Sequence, residues 1–167
     1  MHAAAPPTTS IKTLRIMLIA MIAGILAFGI VACLLAPLGG DDSQLANVLL
    51  LVLALMAVGE LSAYVVIRMV ILGKLRQAVA DSANTDDPQT LVLPVFYQIT
   101  IIGAAMAEGL SLFGLVIFLL FAAPPALIAP VLGVVLIAAR FPSENKLANF
   151  TLDVTGRQPI HTFRSPR

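Results

Sequence analysis

Two acidic residues, Glu60 and Glu108, stand inside stretches of this sequence that are otherwise almost entirely apolar. A charged side chain near the centre of a bilayer costs at least about 2.5–3.5 kcal/mol, so carboxyls in such positions usually face other helices and have a purpose. Tyr64 and Arg68 follow Glu60 at successive spacings of four, which places all three on one helical stripe. Ser111 lies three residues after Glu108. The pattern predicts a candidate proton or ion site formed by Glu108, Glu60, Tyr64 and Ser111.

A second interpretation of both glutamates is structural. A neutral carboxyl that is hydrogen-bonded to a neighbouring helix would only fix how the helices pack. The sequence leaves this choice open, because the rotation of each helix about its own axis is not readable from one chain. Whether Glu60 and Glu108 touch is therefore also left open.

Small residues recur at helical spacing in the same part of the chain. Gly103, Ala107 and Ser111 form a row of small residues that allows another helix to approach closely. Ala20 and Gly24 form a matching pair in the first apolar stretch. We predict that helices pack through these five residues.

Four apolar stretches are candidates for crossing a membrane, a task that takes about 20 helical residues. They must be helical, because an open strand edge in lipid would leave backbone groups unpaired. The predicted fold class is all-α, a bundle of four transmembrane helices at about 16–36, 45–72, 95–122 and 124–140, within a membrane domain of 16–141. The remaining segments are an N-terminal tail (1–15), a cytoplasmic loop (73–94) and a juxtamembrane segment with a tail (142–167). Good helix formers at 74–83 predict that the second helix continues beyond the membrane.

Lysine and arginine occur only in alternate segments of the chain. The N-terminal tail has two, the region around the second connection has three and the C-terminal segment has five, whereas the first and third connections have none. Because basic residues favour the cytoplasmic side, we expect both termini to lie on the cytoplasmic face of a bacterial inner membrane. Arg15, Arg68 and Arg140 are expected to anchor helix ends at the interface.

Composition excludes several classes of protein. Hydrophobic residues make up 59% of the 167 positions and charged residues 11%, against about 25% charged in soluble domains. A net charge of +1 without a basic stripe argues against a nucleic-acid partner. The one cysteine, Cys33, excludes an internal disulfide, and both histidines, His2 and His161, lie near the termini. We therefore expect no enzyme activity, no cofactor and no metal site.

The segment that ends at Cys33 contains a candidate lipidation sequence. Ile30-Val-Ala-Cys33 resembles the recognition sequence of a bacterial lipoprotein. The apolar run is longer than that of a signal peptide and continues through Leu35, which favours an ordinary first transmembrane helix.

The third apolar stretch resembles the carboxylate-bearing helix of the ATP synthase proteolipid, subunit c. The likeness covers 103–120, with Glu108 at the carboxylate position and Phe113-Gly-Leu-Val-Ile117 after it. It implies that Glu108 binds and releases a transported H⁺ or Na⁺. The preceding helix departs from that family, because Gly59 stands there in place of a run of alternating glycines.

The whole chain resembles an uncharacterised family of small four-helix bacterial membrane proteins. The shared pattern is a third helix with Glu108-Gly109, a short fourth helix and the segment Phe141-Pro-Ser143. This resemblance implies a fold and a location but no activity.

The sequence therefore predicts an integral inner-membrane protein whose simplest role is that of a structural or accessory subunit. The alternative is a proton- or ion-handling protein that uses Glu108, with or without Glu60. The partners expected are the lipid bilayer and either a second copy of the chain or another membrane protein.

Overall fold

The protein is described by a computed structural model that covers residues 7–36, 43–81 and 89–155. All regular secondary structure in these three ranges is helical, which confirms the predicted all-α class. The elements in chain order are α1 (Pro7–Leu35), α2 (Ser43–Asp81), α3 (Gln89–Phe121), a 3₁₀ helix (Pro124–Leu127), α4 (Ile128–Ala139) and α5 (Glu144–Thr155).

The helices extend beyond the bounds that hydrophobicity suggests. α1 begins at Pro7, α2 continues to Asp81, and α3 begins at Gln89, before Pro94. The predicted loop at 73–94 is thus helical at both ends, and its middle, 82–88, lies outside the described residues. Apolar residues mark the part of a helix that can lie in lipid, whereas polar helix formers continue the same helix into water.

α3 lies at the centre of the fold. It packs against α1, α2, α4 and α5, whereas α1 and α2 make little contact with each other within the described ranges. One core cluster joins α1, α3 and α4 and contains Leu18, Ile25, Ala32, Ala104, Ala107, Leu115 and Ile137. A second cluster joins α2, α3, the 3₁₀ helix and the start of α4 through Leu53, Ile117, Ala126 and Ala129.

α1 and α3 run in the same direction. The backbone N–H of Leu14 donates to the hydroxyl of Tyr97 at 3.1 Å near the starts of both helices. Further along both helices, a Cβ at Gly29 would lie 3.7 Å from a methyl group of Leu115. Residue numbers therefore rise together along the contact.

α2 and α4 run opposite to α3. Tyr64 of α2 contacts Gly103, and the earlier residue Glu60 contacts the later residue Gly109. Arg140, directly after α4, also contacts Gly103, although α4 begins just beyond the far end of α3. The starts of α1 and α3 thus share one end of the bundle with the ends of α2 and α4.

The outer surface of the helices is apolar. On α2, Leu51, Leu55, Val58 and Leu61 are each 62–66% exposed. Soluble monomers rarely expose contiguous apolar patches larger than a few hundred Å². Within the described ranges, three helices are long and apolar enough to cross a membrane: Ile11–Leu35, Ser43–Ala80 and Val92–Phe121. A fourth span is present if the bent pair Pro124–Ala139 and Glu144–Val154 counts as one.

A tight turn joins α3 to the 3₁₀ helix. Its first residue, Ala122, has a φ of 49°, and its N–H donates to the carbonyl of Phe118 at 2.8 Å. This left-handed residue closes the last turn of α3. Pro124 and Pro125 follow at the start of the 3₁₀ helix, where a missing N–H costs little.

α5 lies across the end of the bundle where α3 begins. A bend of 76° separates α5 from the helical segment that includes α4. Ser143 caps α5, since its hydroxyl accepts a hydrogen bond from the N–H of Lys146 at 3.2 Å. Phe150 packs edge-on against Phe96 of α3, with ring centroids 5.4 Å apart.

Candidate functional site

α3 and α4 are in close contact at Gly133. A Cβ at Gly133 would overlap the hydroxyl of Ser111 and lie 2.8 Å from the carbonyl oxygen of Ala107. Ser111 is fully buried; its hydroxyl donates to that carbonyl at 2.6 Å and lies 3.5 Å from the carbonyl oxygen of Ala129. Ser111 thus belongs to the packing contact between α3 and α4.

Gly114 extends this contact by one helical turn. A Cβ at Gly114 would lie 2.7 Å from the carbonyl oxygen of Ala126 and 2.8 Å from the Cβ of Ala129. Ala107 and Ser111 of the predicted row of small residues therefore face α4, whereas Gly103 contacts Tyr64 of α2 and Arg140. The expected counterparts of this row on α1, Ala20 and Gly24, are both exposed.

Glu60 and Glu108 each place a carboxyl oxygen close to an exposed glycine of a neighbouring helix. The Oε1 atom of Glu108 is 3.8 Å from where a Cβ would stand at Gly24 of α1. The Oε1 atom of Glu60 is 3.9 Å from the corresponding position at Gly109 of α3. Both glutamates are half-buried and both glycines are exposed. Glycine at these two positions leaves room for the carboxyl groups.

The carboxyls of Glu60 and Glu108 lie against different helices. The side chains of Glu60 and Glu108 make no hydrogen bond or ion pair in the part of the chain that the structure describes. Glu108 is directed toward α1 and Glu60 lies between α2 and α3. The structure thus places one carboxyl on each side of Gly109.

α3 has an open face between α1 and α2. Ala105, Gly109 and Val116 are exposed, whereas Ala107 and Ser111 are buried against α4. At 100° per residue, positions two apart lie on nearly opposite sides of a helix, so the exposed residues lie opposite α4. We call the surface of Ala105, Gly109 and Val116 the open face. Both carboxyls border it.

Tyr64 pairs with Arg140 rather than with the glutamates. The guanidinium carbon of Arg140 lies 4.7 Å from the centroid of the Tyr64 ring, within the range of a cation–π contact. Gly103 makes room for both, since a Cβ there would lie 2.7 Å from the Tyr64 ring and 2.8 Å from Arg140 Nε. The Nη1 atom of Arg140 is buried and has no hydrogen-bond partner among the described residues.

The three predicted anchors therefore differ from one another. Arg68 is exposed on α2. Arg15 is exposed as well, and its Nε donates to the carbonyl of Pro142 at 3.1 Å. Arg140 is half-buried and contacts α2 and α3, which is not the placement of a side chain that extends to the interface.

Sequence reasoning missed Gly133 and Gly114 as packing residues. A signal was present, because Ala126, Ala129 and Gly133 recur at spacings of three and four. This pattern places small residues on one face of the fourth helix. The contact between Tyr64 and Arg140 had no such signal, since 76 positions separate the two residues in the chain.

Among the residues that the structure describes, no group of three or more His, Cys, Asp or Glu side chains could hold a metal ion. Cys33 is a free, exposed thiol within α1. The candidate site therefore consists of two separate carboxyls, the open face that they border, and the Tyr64–Arg140 pair. No protein-family model, curated protein or solved structure matches the chain.

Proposed function

We propose that this protein is an integral protein of the bacterial inner membrane with four transmembrane helices, and that it serves as a structural or accessory subunit of a membrane assembly. Both termini lie in the cytoplasm in this proposal. Its support is the apolar outer surface and the alternating helix direction, which gathers Lys12, Arg15, Lys74, Arg76 and Lys146 at one end of the bundle.

The observation that carries the subunit role is the open face with its two bordering carboxyls. Ala105 and Gly109 are small enough for another helix to approach the backbone of α3 closely. Lipid tails offer no hydrogen bonds, so a polar group without a partner is costly in a bilayer. A transmembrane helix with hydroxyl or amide side chains would supply donors to Glu60 and Glu108, which lipid cannot do.

The test is the composition of the complex extracted gently from its native membrane. Ala105→Leu fills the open face without removing a helix former, so we expect it to dissociate the partner or the second copy. Ala54→Leu makes the same change at an exposed alanine of α2, away from the open face, and should leave the complex intact. Chain identities and stoichiometry are read by mass spectrometry and light scattering.

A monomer without any stoichiometric partner would contradict the subunit role. Equal effects of the two alanine variants would contradict the open face as the contact surface. A partner that survives Ala54→Leu and is lost in Ala105→Leu supports both.

The second candidate function is proton or ion handling. The specific observation in its favour is that Glu60 and Glu108 are half-buried and without a hydrogen-bond partner in the described residues. The resemblance of 103–120 to the ATP synthase proteolipid also supports it. In this proposal Glu108 binds the transported proton or ion, with Glu60 in a supporting role.

Glu108→Gln separates the two candidates. Glutamine keeps the size and hydrogen-bonding capacity of the side chain but cannot exchange a proton. Ion handling predicts loss of proton or Na⁺ flux in proteoliposomes while the complex stays assembled. The subunit role predicts unchanged flux with Gln and weakened assembly with Glu108→Leu.

A further inference from the structure

Positive charge converges on the junction between α4 and α5. We call this junction, residues 140–143, the elbow. Arg140 is its first residue, Arg15 approaches it from α1, and Lys146 approaches it from the first turn of α5. Glu144 is the acidic residue in that first turn. The elbow thus joins basic side chains from three separate parts of the chain.

Backbone carbonyls hold two of these side chains in place. The Lys146 ammonium donates to the carbonyls of Ala139 and Phe141, at 2.7 and 3.1 Å. The Arg15 guanidinium donates to the carbonyl of Pro142 at 3.1 Å. The acceptors are the free carbonyls at the end of α4 and in the elbow, where cations are favoured. The two cations are therefore fixed on neighbouring residues of one short segment.

Both cations keep further hydrogen-bond donors and belong to exposed residues. An ammonium has three N–H donors and a guanidinium has five. The contacts above use two donors of Lys146 and one of Arg15, and both side chains are exposed. Arg140 adds positive charge to the elbow, but its Nη1 is buried. The elbow therefore offers donors and charge suited to an oxyanion.

We propose that the elbow binds the phosphate group of an anionic phospholipid through Arg15 and Lys146. The inference rests on the proposed membrane location. α4 is apolar up to Ala139, and α5 turns away by 76° after the elbow, so the elbow stands where lipid chains give way to phosphates. Basic pockets at helix ends on the cytoplasmic side are suited to anionic head groups.

The experiment uses the full chain in a neutral detergent, titrated with phosphatidylglycerol or with phosphatidylcholine. Bound lipids are counted by native mass spectrometry. We expect tighter binding of phosphatidylglycerol, weakened about fivefold by either Lys146→Gln or Arg15→Gln. Arg68→Gln removes an exposed cation from α2 and should leave binding unchanged. Lys146→Arg keeps the charge and should retain binding.

Three results would overturn this proposal. One is equal affinity for the two lipids, and another is an equal loss in Arg68→Gln. The third is competition by glycerol phosphate at comparable concentration, which would assign the elbow to a soluble phosphate compound instead. Thermal unfolding without added lipid shows whether each variant is folded. If Lys146→Gln does not fold, Lys146→Arg still tests whether a positive charge at this position is enough for lipid binding. None of these readouts depends on a partner protein, so the subunit role is tested separately.

Discussion

At the scale of single residues, the lack of a side chain at Gly133 determines how closely α4 approaches α3. The hydroxyl of Ser111 occupies the space that a Cβ at Gly133 would need, and the carbonyl of Ala107 borders it. The Cβ of Ser111 also lies 3.1 Å from this position, so rotation of the Ser111 hydroxyl alone would not make room for the added methyl group. The helices would have to move apart and lose contacts along the Gly114 turn as well.

We predict that Gly133→Ala lowers the free energy of unfolding by about 1–3 kcal/mol, because the added methyl group separates α3 from α4. Thermal unfolding in detergent measures the change. Gly59→Ala is the matched control, since a Cβ at Gly59 meets nothing within 4 Å. Replacing glycine by alanine within a helix should leave that variant equally stable or more stable. Equal destabilisation of both variants would contradict the close contact.

We predict that Ala122→Gly stabilises the protein by about 0.5–1 kcal/mol. Ala122 has a φ of 49°, which glycine adopts without the steric cost that a Cβ imposes. Ala123→Gly is the control, because Ala123 has a φ of −81° and gains nothing from glycine. Glycine has greater conformational freedom than alanine in the unfolded chain, so Ala123→Gly should be slightly less stable than the parent. A lower melting temperature for Ala122→Gly than for the parent would refute the left-handed turn.

The sequence is enough to select candidate functional residues, but it does not show which residues contact them. Glu60 and Glu108 were recognisable because a carboxyl in an apolar stretch is costly. Their placement over Gly109 and Gly24, and the partnership of Tyr64 with Arg140, depend on helix rotation. Rotation is set by the sum of many packing contacts between distant segments, which no local spacing reveals.

At the scale of elements, apolar length predicted the three long helices α1, α2 and α3 but not their ends. The stretch at 74–81 continues α2 because its residues form helices well, although they are too polar for a bilayer core. The fourth apolar stretch is shorter than the others, and the structure divides it into the 3₁₀ helix Pro124–Leu127 and α4. The row of small residues was recognisable, but its neighbours were not: Ala107 and Ser111 contact Gly133 of α4, and Gly103 contacts Tyr64 of α2.

We predict that Ser143→Ala loosens α5 while the other helices remain intact. The hydroxyl of Ser143 caps the first turn, and the loss of such a cap costs about 1 kcal/mol. Hydrogen–deuterium exchange should show faster exchange in Glu144–Thr155 alone. Ser62→Ala is the matched control, because the Ser62 hydroxyl donates to the carbonyl of Val58 within α2. Unchanged exchange in α5 would show that its position depends on packing rather than on the cap.

At the scale of the whole molecule, the alternating helix directions place Asn145 and Gln44 at opposite ends of the bundle. Both are exposed, near the start of α5 and of α2 respectively. If the basic end is cytoplasmic, a cysteine that replaces either residue can be reached from one side of the membrane only.

We predict that, in a Cys33→Ser background, Asn145→Cys reacts with a membrane-impermeant thiol reagent in inverted vesicles but not in intact spheroplasts. Gln44→Cys should give the opposite result. Lysed membranes, in which both positions should react, serve as the control for intrinsic reactivity. Labelling of both positions from the same side would contradict the proposed topology.

The central place of α3 also has a consequence for how this protein is made. A ribosome releases α1 and α2 first, and these two helices make little contact with each other within the described ranges. Their shared neighbour is synthesised third, so the nascent chain holds two apolar helices without a packed interface until then. A chain truncated before α3 would offer no native core to protect it, and membrane quality-control proteases would degrade it.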